Sequence, residues 1–269
     1  MTKLRFTNLH THTVFSDGKN TVEEMVKQAI NLGFSSIGIS DHSETDCDLS
    51  YCMRSRDYEK YFAEINRVKN LYSDKIDVLT GMELDYCSEI DRRNFDYIIS
   101  SVHYLIEKGN VYAIDHARDI QLDCINNCFS GDQNAFAEKY YQTVIQNVRK
   151  NRPDIVGHID VITKYGVIDE QDEKYKEIAL SAVDEVMKYC RVIEINTGAI
   201  FRKCRTVPYP NPYILKRISE NGGGVTINGD SHCTEALDTY FEESVELLRS
   251  VGFKSHLILT KDGFSEEKI

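Results

Sequence analysis

The stretch Asn8-Leu9-His10-Thr11-His12-Thr13, followed by Asp17, carries residue types suited to metal chemistry. Leu4, Phe6 and Leu9 give it apolar, strand-forming surroundings, so His10 and His12 project from one face of a strand's end. Two buried imidazoles on one face need hydrogen-bond partners or a cation. Five later positions offer more candidates, each just after an apolar run: Asp41-His42, Glu83, His103, His158 and Asp230-Ser231-His232. The histidine pair alone is equally readable as core, whereas the repetition points to a metal site. Mixed imidazole and carboxylate ligands suit zinc, iron or manganese, and a carboxylate can bridge two ions where a neutral imidazole cannot.

Alternating strands and helices must hold these residues. After turn chemistry at residues 16–20, Thr21 and Glu24 form a capping box, and a helix with Val22, Met25, Val26, Ala29 and Ile30 on one side stops at Gly33. Strands are expected over residues 35–40, 76–84, 95–102, 155–158, 192–196, 225–228 and 256–260, and helices over 57–72, 134–151, 173–189, 213–221 and 237–251. Residues 104–132 read as one long irregular loop containing Asp115-His116-Ala117-Arg118-Asp119, and a loop of that length in a compact domain is often functional. Pro208, Pro210 and Pro212 mark a rigid loop before a helix. The alternation predicts a parallel α/β barrel, closed or nearly so, with its active site at the C-terminal ends of the strands. Every candidate ligand falls at such an end or just beyond it.

The 269 residues, 41% of them hydrophobic, suit one large core, so residues 1–269 are expected to form a single domain. A net charge of −11, from 43 acids against 32 bases, disfavours long nucleic acid as a partner. Divalent cations would concentrate positive charge in the pocket and let a small anion bind there. The eight cysteines are scattered in a chain too long to need disulfide staples, and they read as reduced thiols of a cytoplasmic protein. Cys124 and Cys128 have no second pair nearby to complete a zinc clip. Neither a secretory h-region nor a membrane-spanning run is encoded.

The series His10-Thr11-His12 with Asp17, Asp41-His42, Glu83, His103, Gly157-His158-Ile159-Asp160 and Gly229-Asp230-Ser231-His232 resembles the motifs of the polymerase and histidinol phosphatase (PHP) superfamily. Within it, Glu194-Ile195-Asn196-Thr197-Gly198, Arg202 and the Tyr209-Pro210 loop look most like the stand-alone histidinol-phosphate phosphatases. The resemblance implies a distorted TIM-like (β/α)7 barrel with three divalent metal ions, of zinc, iron or manganese. One ion would take His10, His12, Glu83 and Asp230; a second would share Glu83 and add His103 and His158; a third would take Asp17, His42 and His232. It also implies hydrolysis of a phosphate monoester, L-histidinol phosphate, in histidine biosynthesis. Two close ions would activate a bridging water as nucleophile, with Glu83, Asp17 and His232 as the catalytic residues. A PHP-type phosphodiesterase acting on nucleotides is the same-class alternative, and a metal-dependent amidohydrolase-like enzyme the different-class one.

Around that centre, Arg202, Lys164 and Arg205 are candidates to bind phosphate, with Arg202 favoured for its bidentate fork. The segment Gly198-Ala199-Ile200-Phe201 ahead of Arg202 departs from the phosphatase pattern. Asp115 and Asp119 are candidates for the substrate's protonated amine, and His116 is either a substrate contact or a solvated loop residue. Asp41 and Asp160 read as orienting groups, and His256 as structural.

Overall fold

The computed structural model describes residues 4–269. In chain order the strands are β1 (Thr7–Asn8), β2 (Ser36–Ile39), β3 (Asp77–Asp85), β4 (Tyr97–Ser101), β5 (Tyr104–Glu107), β6 (Asn110–Ala113), β7 (Ile155–Val156), β8 (Val192–Asn196), β9 (Gly224–Asn228), β10 (Ser255–Thr260) and β11 (Gly263–Lys268). The helices are α1 (Val22–Leu32), α2 (Tyr58–Leu71), α3 (Arg118–Phe129), α4 (Gln133–Asn151), α5 (Glu173–Val186), α6 (Gly198–Phe201), α7 (Pro212–Glu220) and α8 (Phe241–Ser250). No helix among the described residues is long and apolar enough to cross a membrane.

Seven strands, in the order β1-β2-β3-β4-β7-β8-β9, form one parallel sheet. Their residues are buried almost throughout, because helices cover the outside and side chains fill the inside. The two edges meet beyond the strand ends, where Thr11 bridges Ser231. His12 N donates to Ser231 O at 2.9 Å and Ser231 N donates to His10 O at 3.0 Å. The backbone that carries the first and last histidine motifs is therefore the seam of the nearly closed barrel.

The opposite end of the barrel is filled. Leu9, Leu79, Tyr97, Ile99, Ile155 and Leu259 form an apolar cluster there. Tyr97 reaches across it and donates its hydroxyl to Leu9 O. Gly38 and Gly81 make room for that ring, since a Cβ at either would collide with it. Local signals set the helix ends. The Thr21–Glu24 capping box starts α1, and Gly33, at φ 78°, ends it.

Three expectations are corrected. Residues 104–132 are not an irregular loop: they hold the antiparallel hairpin β5–β6 and the helix α3. The hairpin turns at Lys108-Gly109, both at positive φ (51° and 81°), which is the primed turn that two-residue hairpins favour. The expected last strand, 256–260, lies outside the barrel, paired with β11 in a second hairpin. That hairpin caps the filled end, with Ser36 Oγ donating to Leu259 O. The last helix also starts later than expected, at Phe241, after a 3-10 turn at Thr234–Ala236. His256 is buried in β10 against Phe6, as a structural residue should be.

Candidate metal centre

Each strand that carries a motif delivers it at its C-terminal end. His10 and His12 follow β1, Asp41 and His42 follow β2, Glu83 lies in the last turns of the pleat of β3, His103 follows β4, His158 follows β7, and Asp230 and His232 follow β9. Asp17 reaches the same place from the turn after His12, where Asn20 O accepts from Val14 N at 3.0 Å.

Glu83 is buried at the centre, and its two oxygens face different imidazoles. Oε2 lies 2.8 Å from His42 Nδ1, 3.2 Å from His10 Nε2 and 3.6 Å from His12 Nε2. Oε1 lies 3.1 Å from His158 Nε2 and 3.4 Å from His103 Nε2. Asp230 Oδ1 is 3.4 Å from His12 Nε2 and 3.6 Å from His232 Nδ1, while Asp17 Oδ2 is 3.2 Å from His232 Nε2. Asp230 adopts φ 45°, a conformation uncommon for a residue with a side chain and frequent at functional sites.

These residues form four overlapping groups suited to hold an ion: His12, Asp17, His42 and His232; His10, His12 and Glu83; His10, His158 and Asp230; His42, Glu83 and His103. All nine expected ligands are members. The grouping differs from the expected division: His12 also joins the Asp17 set, His42 also joins Glu83 and His103, and His158 groups with His10 and Asp230. His10 Nε2, both His12 nitrogens and Glu83 Oε2 are buried without hydrogen-bond partners. Buried polar atoms left unpaired are costly, and atoms converging on common points fit divalent cations.

Burial disfavours an ionised Glu83, yet His10, His42 and His103 outweigh it and hold the carboxyl well below the usual range. Burial, reinforced by His232 and His42, pushes His12 down to about 3, so that imidazole is neutral and able to donate a lone pair. Burial also works against a charged His10, but Glu194, Glu83 and Asp230 together raise its pKa well above the ordinary value.

The PHP domain model matches residues 8–198. The chain belongs to the PHP family. Among curated PHP relatives, the probable histidinol-phosphatase of Deinococcus radiodurans is 26% identical over 262 residues, covering 94% of this chain and 95% of that protein. The histidinol-phosphatase of Lactococcus lactis is 26% identical over 273 residues, covering 96% and 95%. The crystal structure of histidinol phosphate phosphatase from Lactococcus lactis, complexed with zinc, L-histidinol and phosphate, aligns with a TM-score of 0.70 at 20% identity, covering 98% of this chain and 100% of that one. HisK of Listeria monocytogenes aligns with a TM-score of 0.76 at 23% identity, covering 88% and 99%. The two structures establish a shared PHP barrel.

Three buried carboxylates orient this PHP cluster. Asp41, the expected orienting group, accepts from Thr13 N at 2.7 Å, Thr13 Oγ1 at 2.8 Å and Ser16 Oγ at 2.5 Å, fixing the loop that carries Asp17. Two others were missed from sequence. Glu194 on β8 takes His10 Nδ1 at 2.9 Å, His158 N at 2.7 Å, Asn196 Nδ2 at 2.8 Å and Asn228 Nδ2 at 2.9 Å. Asp85 accepts from His103 N at 3.0 Å and lies 3.1 Å from its Nδ1. Glu194 and Asp85 thereby turn the far nitrogens of His10 and His103 toward Glu83. A signal was present for both: Glu194 interrupts an apolar strand, and Asp85 shares a face with Glu83 two residues earlier.

The cluster opens on a cavity of about 490 Å³ whose walls include Arg202, Lys164, Asp115 and the exposed His116. Arg202, which follows the short helix α6, donates from Nη2 to Asp230 Oδ2 at 2.9 Å. Two expected substrate contacts lie elsewhere. Arg205 spends its fork on Glu170, at 2.9 and 3.0 Å, and its Nη1 also reaches Thr163, so it braces two loops instead of facing the cavity. Asp119 sits exposed in the first turn of α3, outside the cavity. Asp160 accepts from Asn211 N at 2.9 Å and anchors the same proline loop, which fits an orienting role.

Glu194→Gln should leave the fold intact and weaken metal binding about 10- to 100-fold, because an amide offers donors where His10, His158 and two asparagines need acceptors. Chelator competition on protein of unchanged circular dichroism measures it; unaltered affinity would remove Glu194 from the positioning role.

Proposed function

We propose that the chain is a metal-dependent phosphomonoesterase acting on L-histidinol phosphate, with residues 1–269 working as one domain. The carrying observation is Glu83, whose two oxygens face two sets of imidazoles inside a nine-residue ligand cluster that opens on a metabolite-sized cavity. The names of the full-length relatives supply the substrate.

Three divalent ions, zinc, iron or manganese, would be held by His10, His12, Glu83 and Asp230, by Glu83, His103 and His158, and by Asp17, His42 and His232. When bound, such ions lower the pKa of water toward neutrality and neutralise charge on phosphoryl oxygens. Glu83, facing both inner sets of imidazoles, would set the spacing of the ions they hold. Arg202 lies on Asp230 through both arms of its fork, Nη2 to Oδ2 at 2.9 Å and Nη1 to O at 3.3 Å, and turns its remaining N–H groups to the phosphate. Lys164, held by Asp115 O at 2.6 Å, adds a second positive charge to that wall. Asp17 and His232 stand at the solvent side of the cluster, where solvent water can supply the proton that the leaving oxygen needs. Eight unpaired cysteines fit a reducing, cytoplasmic setting.

Metal-loaded protein assayed against L-histidinol phosphate, a dinucleotide and phenyl phosphate tests this reading. The highest kcat/KM is expected for L-histidinol phosphate, and preferential cleavage of the dinucleotide would replace it with phosphodiesterase activity. Glu83→Ala should cost more activity than Asp17→Ala, since one loses a carboxylate shared by two ions and the other a ligand of one; the reverse order would sink the shared-carboxylate assignment.

Arg202→Lys keeps the charge and loses the fork. The loss should be about 1.5–3 kcal/mol of phosphate interaction. In kcat/KM that is roughly ten- to a hundredfold at unchanged metal content. Unchanged efficiency would shift phosphate binding to Lys164.

A further inference from the structure

We infer that the outer half of the cavity is a subsite for an organic cation, built on Asp48, which decides which phosphate esters the site accepts. The inference rests on the phosphomonoesterase reading above and adds the residues that read the leaving group.

The cavity is polarised. Its inner wall carries the ligand cluster, Arg202 and Lys164, which suit a phosphoryl group. Away from these it is lined by Tyr51, Tyr104 and Asp48. Three of the carboxylates on the cavity already have charged or ligand partners. Asp17 and Asp230 face the imidazoles, Asp230 also holds Arg202, and Asp115 lies 3.5 Å from Lys164 Nζ. Asp48 has no ion pair among the described residues, and its Oδ1 accepts from Ser50 N at 2.8 Å. Hydrogen bonding from Ser50 holds its carboxyl below the usual range, with His116 across the mouth adding to the effect. An ionised carboxylate with no ion pair among the described residues, on the wall of a small-molecule cavity, is suited to a ligand's cation.

The loop presents Asp48 stiffly. Glu44 ties the two ends together by accepting from Arg54 Nε and Ser55 N, both at 2.8 Å. Met53 N donates to His42 O at 3.0 Å, and Cys52 Sγ donates to Asp48 O at 3.4 Å. Tyr51 on this loop packs edge-on against His42, with centroids 4.7 Å apart, and lies 6.3 Å from the Tyr104 ring. An aromatic wall thus runs from the ligand cluster toward Asp48. A phosphate ester whose body is a flat ring or alkyl chain with a protonated amine would span it, ester end inward and cation outward. The bland reading of Asp48 is a turn former with a solvated charge.

The test uses the metal-loaded full chain and the ratio of kcat/KM for L-histidinol phosphate to that for phenyl phosphate, an ester with no cation. Asp48→Asn keeps an oxygen for Ser50 N and removes the charge. The ratio should fall about tenfold, through KM more than kcat. Asp48→Glu should restore part of it. A ratio unmoved by Asp48→Asn, whether the two efficiencies fall together or hold, overturns the subsite. Calorimetric titration with L-histidinol, which carries the cation without the phosphate, reads the subsite without hydrolysis. Weaker binding to Asp48→Asn supports the subsite even if no L-histidinol phosphate is cleaved, in which case only the proposed activity fails. Equal binding to both proteins with intact hydrolysis removes the subsite and leaves the activity standing.

Discussion

A fully buried carboxylate, Glu83, sits among five imidazoles, and the rest of the structure has to make that arrangement tolerable. A carboxylate out of water needs positive charge close by. The imidazoles cannot all supply it, because protonated rings packed together repel one another; His12 and His42 have centroids 4.2 Å apart, as do His12 and His232. Divalent ions resolve the conflict, since they bring charge to Glu83 while leaving the rings neutral as ligands. The unpartnered nitrogens of His10 and His12 are what such an arrangement leaves behind.

The fold is tied to the same group of residues. In a parallel barrel all strands end on one side, so motifs far apart in sequence meet there without long excursions. The barrel's closing bridge, Thr11 to Ser231, lies between His10 and His12 on one edge and Asp230 and His232 on the other. Ions bound by those histidines would therefore also hold the seam shut, which couples metal binding to stability. The filled end, with Tyr97 laid over Gly38 and Gly81 and β10 capping it, gives the strands a rigid base from which their other ends project.

Much of this was legible because the chemistry and the periodicity coincided. Each ligand closed an apolar run, and only parallel strands alternating with helices bring such run ends together; His42, His103 and His158 were placed that way. The β5–β6 hairpin was hidden by its turn, where Lys108 takes positive φ, a position more often given to asparagine, aspartate or glycine. The β10 strand has the same apolar look as a barrel strand, and sequence pattern does not say that its partner is a charged edge, β11, instead of β9. Arg205 and Arg202 are indistinguishable by type and lie three residues apart. What separates them is the partner: Glu170, from a distant loop, takes the fork of Arg205 away from the cavity, while Asp230 holds that of Arg202 on the cavity wall.

The proposed phosphate site and the ligand cluster are linked through Asp230. Arg202 reaches the cavity by lying on Asp230, the residue whose other oxygen faces His12 and His232. Its position is set by the same carboxylate that helps form the ligand cluster, so a shift of one displaces the other. Desolvation disfavours the charged guanidinium, and Asp230 more than offsets it, which keeps a positive group fixed where phosphoryl oxygens would arrive. The positive inner wall is thus assembled from side chains that hold one another. The loop of Asp48 and Tyr51, whose ends Glu44 ties together, is seated on the same assembly, because Tyr51 packs against the His42 ring and Met53 N donates to His42 O.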